Sequence, residues 1–261
     1  MWTEASGRPI AVTKSDHPPQ DNFVFDSARG RADYNPYVDR VKEFHPWAMP
    51  TNEAEEQRGT WRESLGLAPD APLLLEIGPG NGFFFREVAK RFPEAGLIGL
   101  EVRFKRVFLT AKKALKQGLE SFRVVHHHAD HLPRVFAADE LDGVFANHPD
   151  PWPKDRHHKH RLLATLFREN LEHCLKPGGE FWLKSDFEDF GPISCSLFDA
   201  EGWTPLAFHP DIHQGDVPLR EAAPPGSRFW AADILTNYET KHIRLGSKIL
   251  VGGWSWKSPR A

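Results

Sequence analysis

Cysteine is scarce in this chain. Cys174 and Cys195 are the only two in 261 residues, so no disulfide framework is expected. No apolar run is long enough to cross a bilayer. The segment Met1 to Ile10 carries Glu4 and Arg8 and has no apolar stretch of signal-peptide length. Together these absences predict a cytoplasmic protein with no membrane association. Metal-ligand patterns are equally sparse. There is no HExxH motif, and the neighbouring histidines His126, His127, His128 and His131 have no cysteine beside them. Adjacent residues of a strand point to opposite faces, so no metal centre is expected there. An excess of positive charge is missing too. The formal net charge of -3 argues against a uniformly basic nucleic-acid coat, though a local basic patch remains open.

What is present suits a large core: 40% hydrophobic residues, 19 of the 261 being phenylalanine. Residues 1–70 are rich in Pro, Asp, Asn and isolated aromatics, as in Asp33-Tyr34-Asn35-Pro36-Tyr37. They are expected to form an irregular amino-terminal extension lying on the main domain or on its substrate. One short helix is predicted there, over about Glu53 to Leu65. Leaving so many aromatics in water would be costly, which disfavours disorder. Residues 71–261 are expected to form the principal domain.

From Pro72 the pattern becomes regular. Leu73-Leu74-Leu75-Glu76-Ile77 reads as a strand buried on both faces. Phe84, Val88 and Phe92 then recur at helical spacing until Pro93. Gly96 to Leu100 is a second strand ending at Glu101, followed by a cationic helix through about Lys116. Phe122 to Val125 and Leu141 to Ala146 are the third and fourth strands. A helix with Leu162, Leu163, Leu166, Phe167, Leu171 and Cys174 inward should stop at Lys176-Pro177-Gly178-Gly179. Glu180 to Lys184 is the fifth strand. A helix near Ile193 to Ala200 and closing strands near Thr204 to Phe208 and Lys248 to Val251 complete the reading. Strand–helix alternation of this kind predicts an α/β fold, a doubly wound, Rossmann-like and mostly parallel sheet.

The loop Gly78-Pro79-Gly80-Asn81-Gly82 joins the first strand to its helix. Its GxGxG spacing differs from the dinucleotide fingerprint GxGxxG. Glu76, just before the loop, would oppose a phosphate but suits an ammonium group. Glu101 suits the two hydroxyls of a ribose. Asp130, after the third strand, can accept the exocyclic amine of a purine. S-adenosylmethionine carries all three groups, and its sulfonium favours an acid-lined cleft.

The second informative segment is His148-Pro149-Asp150-Pro151-Trp152-Pro153-Lys154. Proline fixes its own φ and restricts the residue before it, so Asp150 is presented at a stiff bend after the fourth strand. Ligands of open α/β sheets bind at such strand ends. Asp150 reads as a site acid at that opening, or as a turn cap. Lys154, Arg156, Lys159 and Arg161 can meet phosphate oxygens, which holds RNA without reading its sequence. Trp152 reads equally as a stacking ring or a packed one. Asp186, after the fifth strand, faces the same opening and reads as a second site acid or as local loop support.

These residues resemble the bacterial tRNA (guanine-N7)-methyltransferases. The resemblance runs from about Leu73 to Trp256 and rests on Glu76 to Gly82, Ile98 to Val102 and above all Pro149 to Lys154 with the basic run that follows. Lys176 to Gly179, Ser185-Asp186-Phe187 and Thr236-Asn237-Tyr238-Glu239 follow in the family's order. The resemblance implies a seven-stranded methyltransferase sheet with an antiparallel last strand. It implies methyl transfer from S-adenosylmethionine to N7 of guanine 46 in the variable loop of tRNA. It assigns Glu76, Gly78, Gly80, Gly82, Glu101, Asp130 and Asp150 to the cofactor, with Asp150 as the catalytic residue. Lys154, Asp186, Thr236, Asn237, Tyr238 and Glu239 would contact the guanine or nearby tRNA.

The chain departs from the family pattern at Asn147-His148, Ser185-Asp186-Phe187, Tyr238 and Thr240. Two other readings stay open: a methyltransferase acting on another RNA, a protein or a metabolite, and a noncatalytic tRNA-binding module. No obligatory protein partner is expected, and a monomer or a homodimer fits equally.

Overall fold

The computed structural model describes residues 35–152, 161–214 and 223–258. Lys154, Arg156 and Lys159 lie outside the described residues, as do residues 1–34. No helix among the described residues is long and apolar enough to cross a membrane.

Eight strands form one sheet: β1 (Ala48–Met49), β2 (Leu73–Ile77), β3 (Gly96–Glu101), β4 (Phe122–His126), β5 (Leu141–Asn147), β6 (Leu175–Ser185), β7 (Trp203–His209) and β8 (Leu250–Trp256). Their spatial order is β1-β4-β3-β2-β5-β6-β8-β7. Neighbouring pairs are parallel from β1 to β6, and β8 runs antiparallel to both β6 and β7. The doubly wound sheet with an antiparallel last strand is therefore present. The seven expected strands are joined by β1 at the edge, where Ala48 pairs with Val124.

The connections are α1 (Pro36–Lys42), α2 (Thr51–Glu56), α3 (Trp61–Ser64), α4 (Phe83–Arg91), α5 (Phe104–Lys116), α6 (Leu132–Val135), α7 (Thr165–Cys174), α8 (Phe190–Phe198) and α9 (Asn237–Ile243). α4 ends at Phe92, ahead of Pro93. Where one helix was expected over Glu53 to Leu65, the chain makes α2 and α3. Gly59 lies between them at φ +83°, a left-handed conformation that interrupts a helix. α1 packs on α5 through Val38 and Val41, and the Tyr37 and Phe44 rings stand 5.7 and 5.3 Å from that of Phe108. Tyr37, Phe44 and Trp47 are thus packed against the core.

Two further expectations need correction. Leu166 is 40% exposed because α7 begins only at Thr165 and its inward face is Phe167, Asn170, Leu171 and Cys174. The last strand runs from Leu250 to Trp256 rather than from Lys248 to Val251. Gly252 and Gly253 are strand residues covered by the rings of Trp254 and Trp182; any side chain there would collide with them.

β6 explains how the sheet holds its late segments. Odd residues Phe181 and Leu183 join the core under α7 and α8, while Trp182 faces the opposite core. Alternation puts Glu180 and Lys184 on that second face too. Buried charges there need partners, and both have them. Glu180 accepts hydrogen bonds from Trp182 Nε1, Ser227 Oγ and the amides of Arg228 and Phe229. Lys184 donates to the carbonyls of Ala232 and Ile234 and to Glu239 Oε2. One strand thereby fixes residues 227–239 over the sheet.

Candidate active site

Parallel pairing lines up the carboxyl ends of β4, β3, β2, β5 and β6 along one edge. In that order they deliver Asp130, Glu101, Glu76, the Asp150 turn and Asp186. Neighbouring strands lie about 4.8 Å apart, so consecutive acids are brought within reach of one elongated ligand.

Glu76 is 2% exposed. Its Oε1 accepts from Asn147 Nδ2 at 3.2 Å, whereas Oε2 is buried with no hydrogen-bond partner. Burial, with Glu101 nearby as a further negative charge, pushes its carboxyl up to about 8; Asn147 and Lys184 pull the other way. A buried carboxylate with a free oxygen lacks a positive donor. Glu101 is also buried. Its oxygens accept from the amides of Gly80 at 3.1 Å and Arg103 at 3.0 Å. Burial raises its carboxyl above the ordinary range despite those two amides. Each oxygen keeps a lone pair for a ligand hydroxyl.

The glycine loop is held from α5. Thr110 Oγ1 donates to Gly80 O at 3.0 Å and Lys113 Nζ to Asn81 O at 3.2 Å, while Arg106 bonds the Asn81 side chain. Positions 106, 110 and 113 share one helix face, a spacing visible in the sequence whose purpose it did not disclose. Gly82 has φ +70°, and a Cβ there would meet Thr110 at 2.8 Å. Gly78 has φ +69° with open space where its Cβ would lie, so a ligand can approach the backbone there. Beyond Glu101, the His126 ring stacks on Phe104 at 3.8 Å and bonds Val102 O. Burial drives this imidazole down to about 4, so it braces the corner as a neutral ring.

Asp130 sits in the short 3-10 turn Ala129–His131, its amide bonded to His128 Nδ1 and its carboxylate 3.3 Å from that nitrogen. Among the described residues no group of three or more His, Cys, Asp or Glu side chains is placed to hold a metal.

Asp150 is exposed between two non-glycine residues of positive φ, His148 at +48° and Trp152 at +43°. Such conformations cost energy and persist where the surroundings impose them. His148 N donates to Lys184 O at 2.7 Å, and Arg161 Nε donates to the carbonyls of Pro151 and Trp152 at 2.9 and 3.3 Å. Arg161 thus clamps the turn through its Nε edge.

Asp186 and Tyr238 meet at the next strand end, with the Tyr238 hydroxyl donating to Asp186 Oδ2 at 3.0 Å. His148 is the main influence holding the Asp186 carboxyl down at about 2; burial opposes this and Tyr238 reinforces it. Burial and the Asp186 charge push the Tyr238 phenol up to about 12. Thr236 and Glu239 do something else. They form a capping box at the start of α9, and Glu239, fully buried, is engaged by Lys184 and His213. Together they fix the helix that carries Asn237 and Tyr238.

A family model described as "Putative methyltransferase" matches residues 70–250. The tRNA (guanine-N(7)-)-methyltransferase of Bacillus cytotoxicus is 32% identical over 221 residues, covering 84% of this chain and 94% of that protein. The protein of the same name from Geobacillus thermodenitrificans is 29% identical over 211 residues, covering 81% and 90%. With the sheet order and the row of acids, these matches place the chain in the tRNA (guanine-N7)-methyltransferase family of S-adenosylmethionine-dependent enzymes.

Proposed function

We propose that this protein transfers a methyl group from S-adenosylmethionine to N7 of a guanine in tRNA, at guanine 46 of the variable loop. The observation that carries the reading is the buried, partnerless Glu76 Oε2 beside the open backbone of Gly78. A carboxylate in that setting fits the α-ammonium of the donor. Glu101 fits the ribose hydroxyls and Asp130 the adenine amine. Gly80 and Gly82 shape the loop around them.

When bound, S-adenosylmethionine supplies a methyl group activated by its sulfonium. Guanine N7 has a lone pair and no proton, so its attack needs no general base. Asp150 serves the catalytic step by holding the purine in line and by stabilising charge that moves from sulfur to base. Its exposure on a stiff turn suits a group that meets a bulky substrate. Asp186 accepts from the Watson–Crick edge of the guanine, with Asn237 and Tyr238 beside it. Arg161, together with Lys154, Arg156 and Lys159, meets the RNA backbone. The exposed cations of α5 extend that landing surface on a molecule of net charge -3, and backbone contacts of this kind position RNA without reading it. The protein works in the cytoplasm without an obligatory protein partner.

The test is incubation with S-adenosylmethionine and unmodified tRNA, followed by nucleoside analysis. N7-methylguanosine at one variable-loop position supports the proposal; methylation of another base, or of protein only, overturns it.

A further inference from the structure

Four side chains from three elements converge beside the Asp150 turn. Asp186, just past β6, places Oδ2 at 3.0 Å from the Tyr238 hydroxyl and 3.5 Å from His242 Nδ1. Its Oδ1 lies 3.6 Å from His148 Nδ1, at the end of β5. The Tyr238 ring is stacked on His242, with centroids 3.8 Å apart and planes 12° from parallel. The His148 ring stands 4.7 Å from that of Tyr238, tilted by 36°. The His148 side chain is only 5% exposed, and neither of its ring nitrogens makes a hydrogen bond. Its backbone is held at positive φ by the bond to Lys184 O. A buried imidazole in a strained conformation, with a carboxylate just beyond bonding distance, is not explained by packing alone.

We propose that His148 and Tyr238 are positioning residues that act as a paired clamp on Asp186, fixing its carboxylate so that the unused lone pairs face the substrate guanine. The proposal rests on the reading of Asp186 as the guanine acceptor. Tyr238 occupies one lone pair of Oδ2, and the histidines set the electrostatic field on both oxygens. A carboxylate carries about four acceptor sites, so two parallel ones stay available for guanine N1–H and its exocyclic amine. Without the clamp, the short side chain of Asp186 can rotate, and the paired acceptor geometry is lost for most of the time. The capping box and the Lys184–Glu239 pair hold α9, and with it Tyr238, at the required height.

The test is a double-mutant cycle on the full-length enzyme. Tyr238→Phe, which keeps the ring and removes only the hydroxyl, should lower kcat/KM for tRNA about tenfold, the effect of one lost hydrogen bond to a charged group. The cofactor dissociation constant should stay within about twofold. His148→Phe keeps a ring against Tyr238 without the nitrogens and should lose as much as His148→Ala. In an Asp186→Asn background, Tyr238→Phe should have no further effect. Thermal midpoints close to that of the parent confirm folding.

Independent, multiplying losses in the cycle overturn the clamp, as does full activity of His148→Phe. If the parent enzyme binds cofactor yet forms no N7-methylguanosine, the functional reading itself fails and the clamp fails with it. That result is distinct from an active parent whose clamp variants are unchanged.

Discussion

Lys184 Nζ lies 2.6 Å from Glu239 Oε2, with the two side chains only 4% and 0% exposed. This buried pair joins the central sheet to the first turn of α9, and Glu239 also closes the cap with Thr236. Removing Lys184 leaves Glu239 buried with only His213 and the Thr236 amide against its oxygens, which costs up to about 3–5 kcal/mol. Lys184→Met should lower unfolding stability by that order in urea titration and should weaken tRNA turnover more than cofactor binding. Burial alone would raise the Glu239 carboxyl, but Lys184 and the Thr236 amide outweigh it and hold it low. The sign follows: this stabilisation is complete above the ordinary carboxylate range and disappears as pH falls through the depressed folded value. A Lys184→Met protein should therefore show a flatter acid limb.

Glu76 has the opposite linkage. Its folded carboxyl is raised to about 8, so in the free protein it is mostly protonated at neutral pH. Stability of the free protein should decline as pH rises from the ordinary carboxylate range towards 8. Binding of a ligand ammonium favours the ionised form, so cofactor binding releases a proton and affinity rises with pH between about 6 and 7.5. Calorimetry in buffers of different ionisation enthalpy measures that proton. Glu76→Gln should abolish the release and weaken binding at least about tenfold. An equal proton count in the variant would contradict the assignment.

The chemistry at N7 removes no proton, so Asp150 is needed for alignment and charge. Asp150→Asn should reduce single-turnover rate about a hundredfold, the scale of one lost electrostatic contact at a reacting centre. Cofactor affinity should change little. A rate loss that disappears at high pH would instead indicate a general base.

Much of the framework was legible before any coordinates. The mainly apolar runs Leu73 to Ile77, Gly96 to Leu100, Phe122 to Val125, Leu141 to Ala146 and Glu180 to Lys184 marked β2 to β6, because a strand buried on both faces is apolar along most of its length. The same logic placed Glu76 and Glu101 at strand ends, whereas Asp130 lies beyond β4 in the turn Ala129–His131. What stayed hidden depended on partners distant in sequence. β1 is two residues long, and only pairing with β4 makes it a strand. Gly252 and Gly253 lie in β8 beyond the expected strand, where the rings of Trp254 and Trp182 cover them. Thr236 and Glu239 are three apart, which spells a capping box; the family comparison led to a substrate role, and only the burial of Glu239 against Lys184 shows its work. His148 looked like an anomaly in a motif, and its contact with Tyr238 ninety positions later could not be inferred from spacing.

The α5 cations offer a quantitative check on RNA docking. Lys105 lies over the Tyr37 ring and Lys112 over Phe108, and both side chains are exposed, so these charges remain available to phosphate. Replacing Lys105 and Lys112 with Gln should weaken tRNA binding and make its salt dependence shallower by about one unit of log–log slope per lost phosphate contact. Activity at saturating tRNA should be preserved. An unchanged slope would remove α5 from the interface.

The most direct measurement is mass-spectrometric nucleoside analysis of unmodified tRNA after reaction with S-adenosylmethionine and either the parent enzyme or Asp150→Asn. The account predicts N7-methylguanosine at a single variable-loop guanine with the parent and a hundredfold slower appearance with the variant, at about equal cofactor occupancy. Cofactor bound by both proteins with no N7-methylguanosine from either would contradict it.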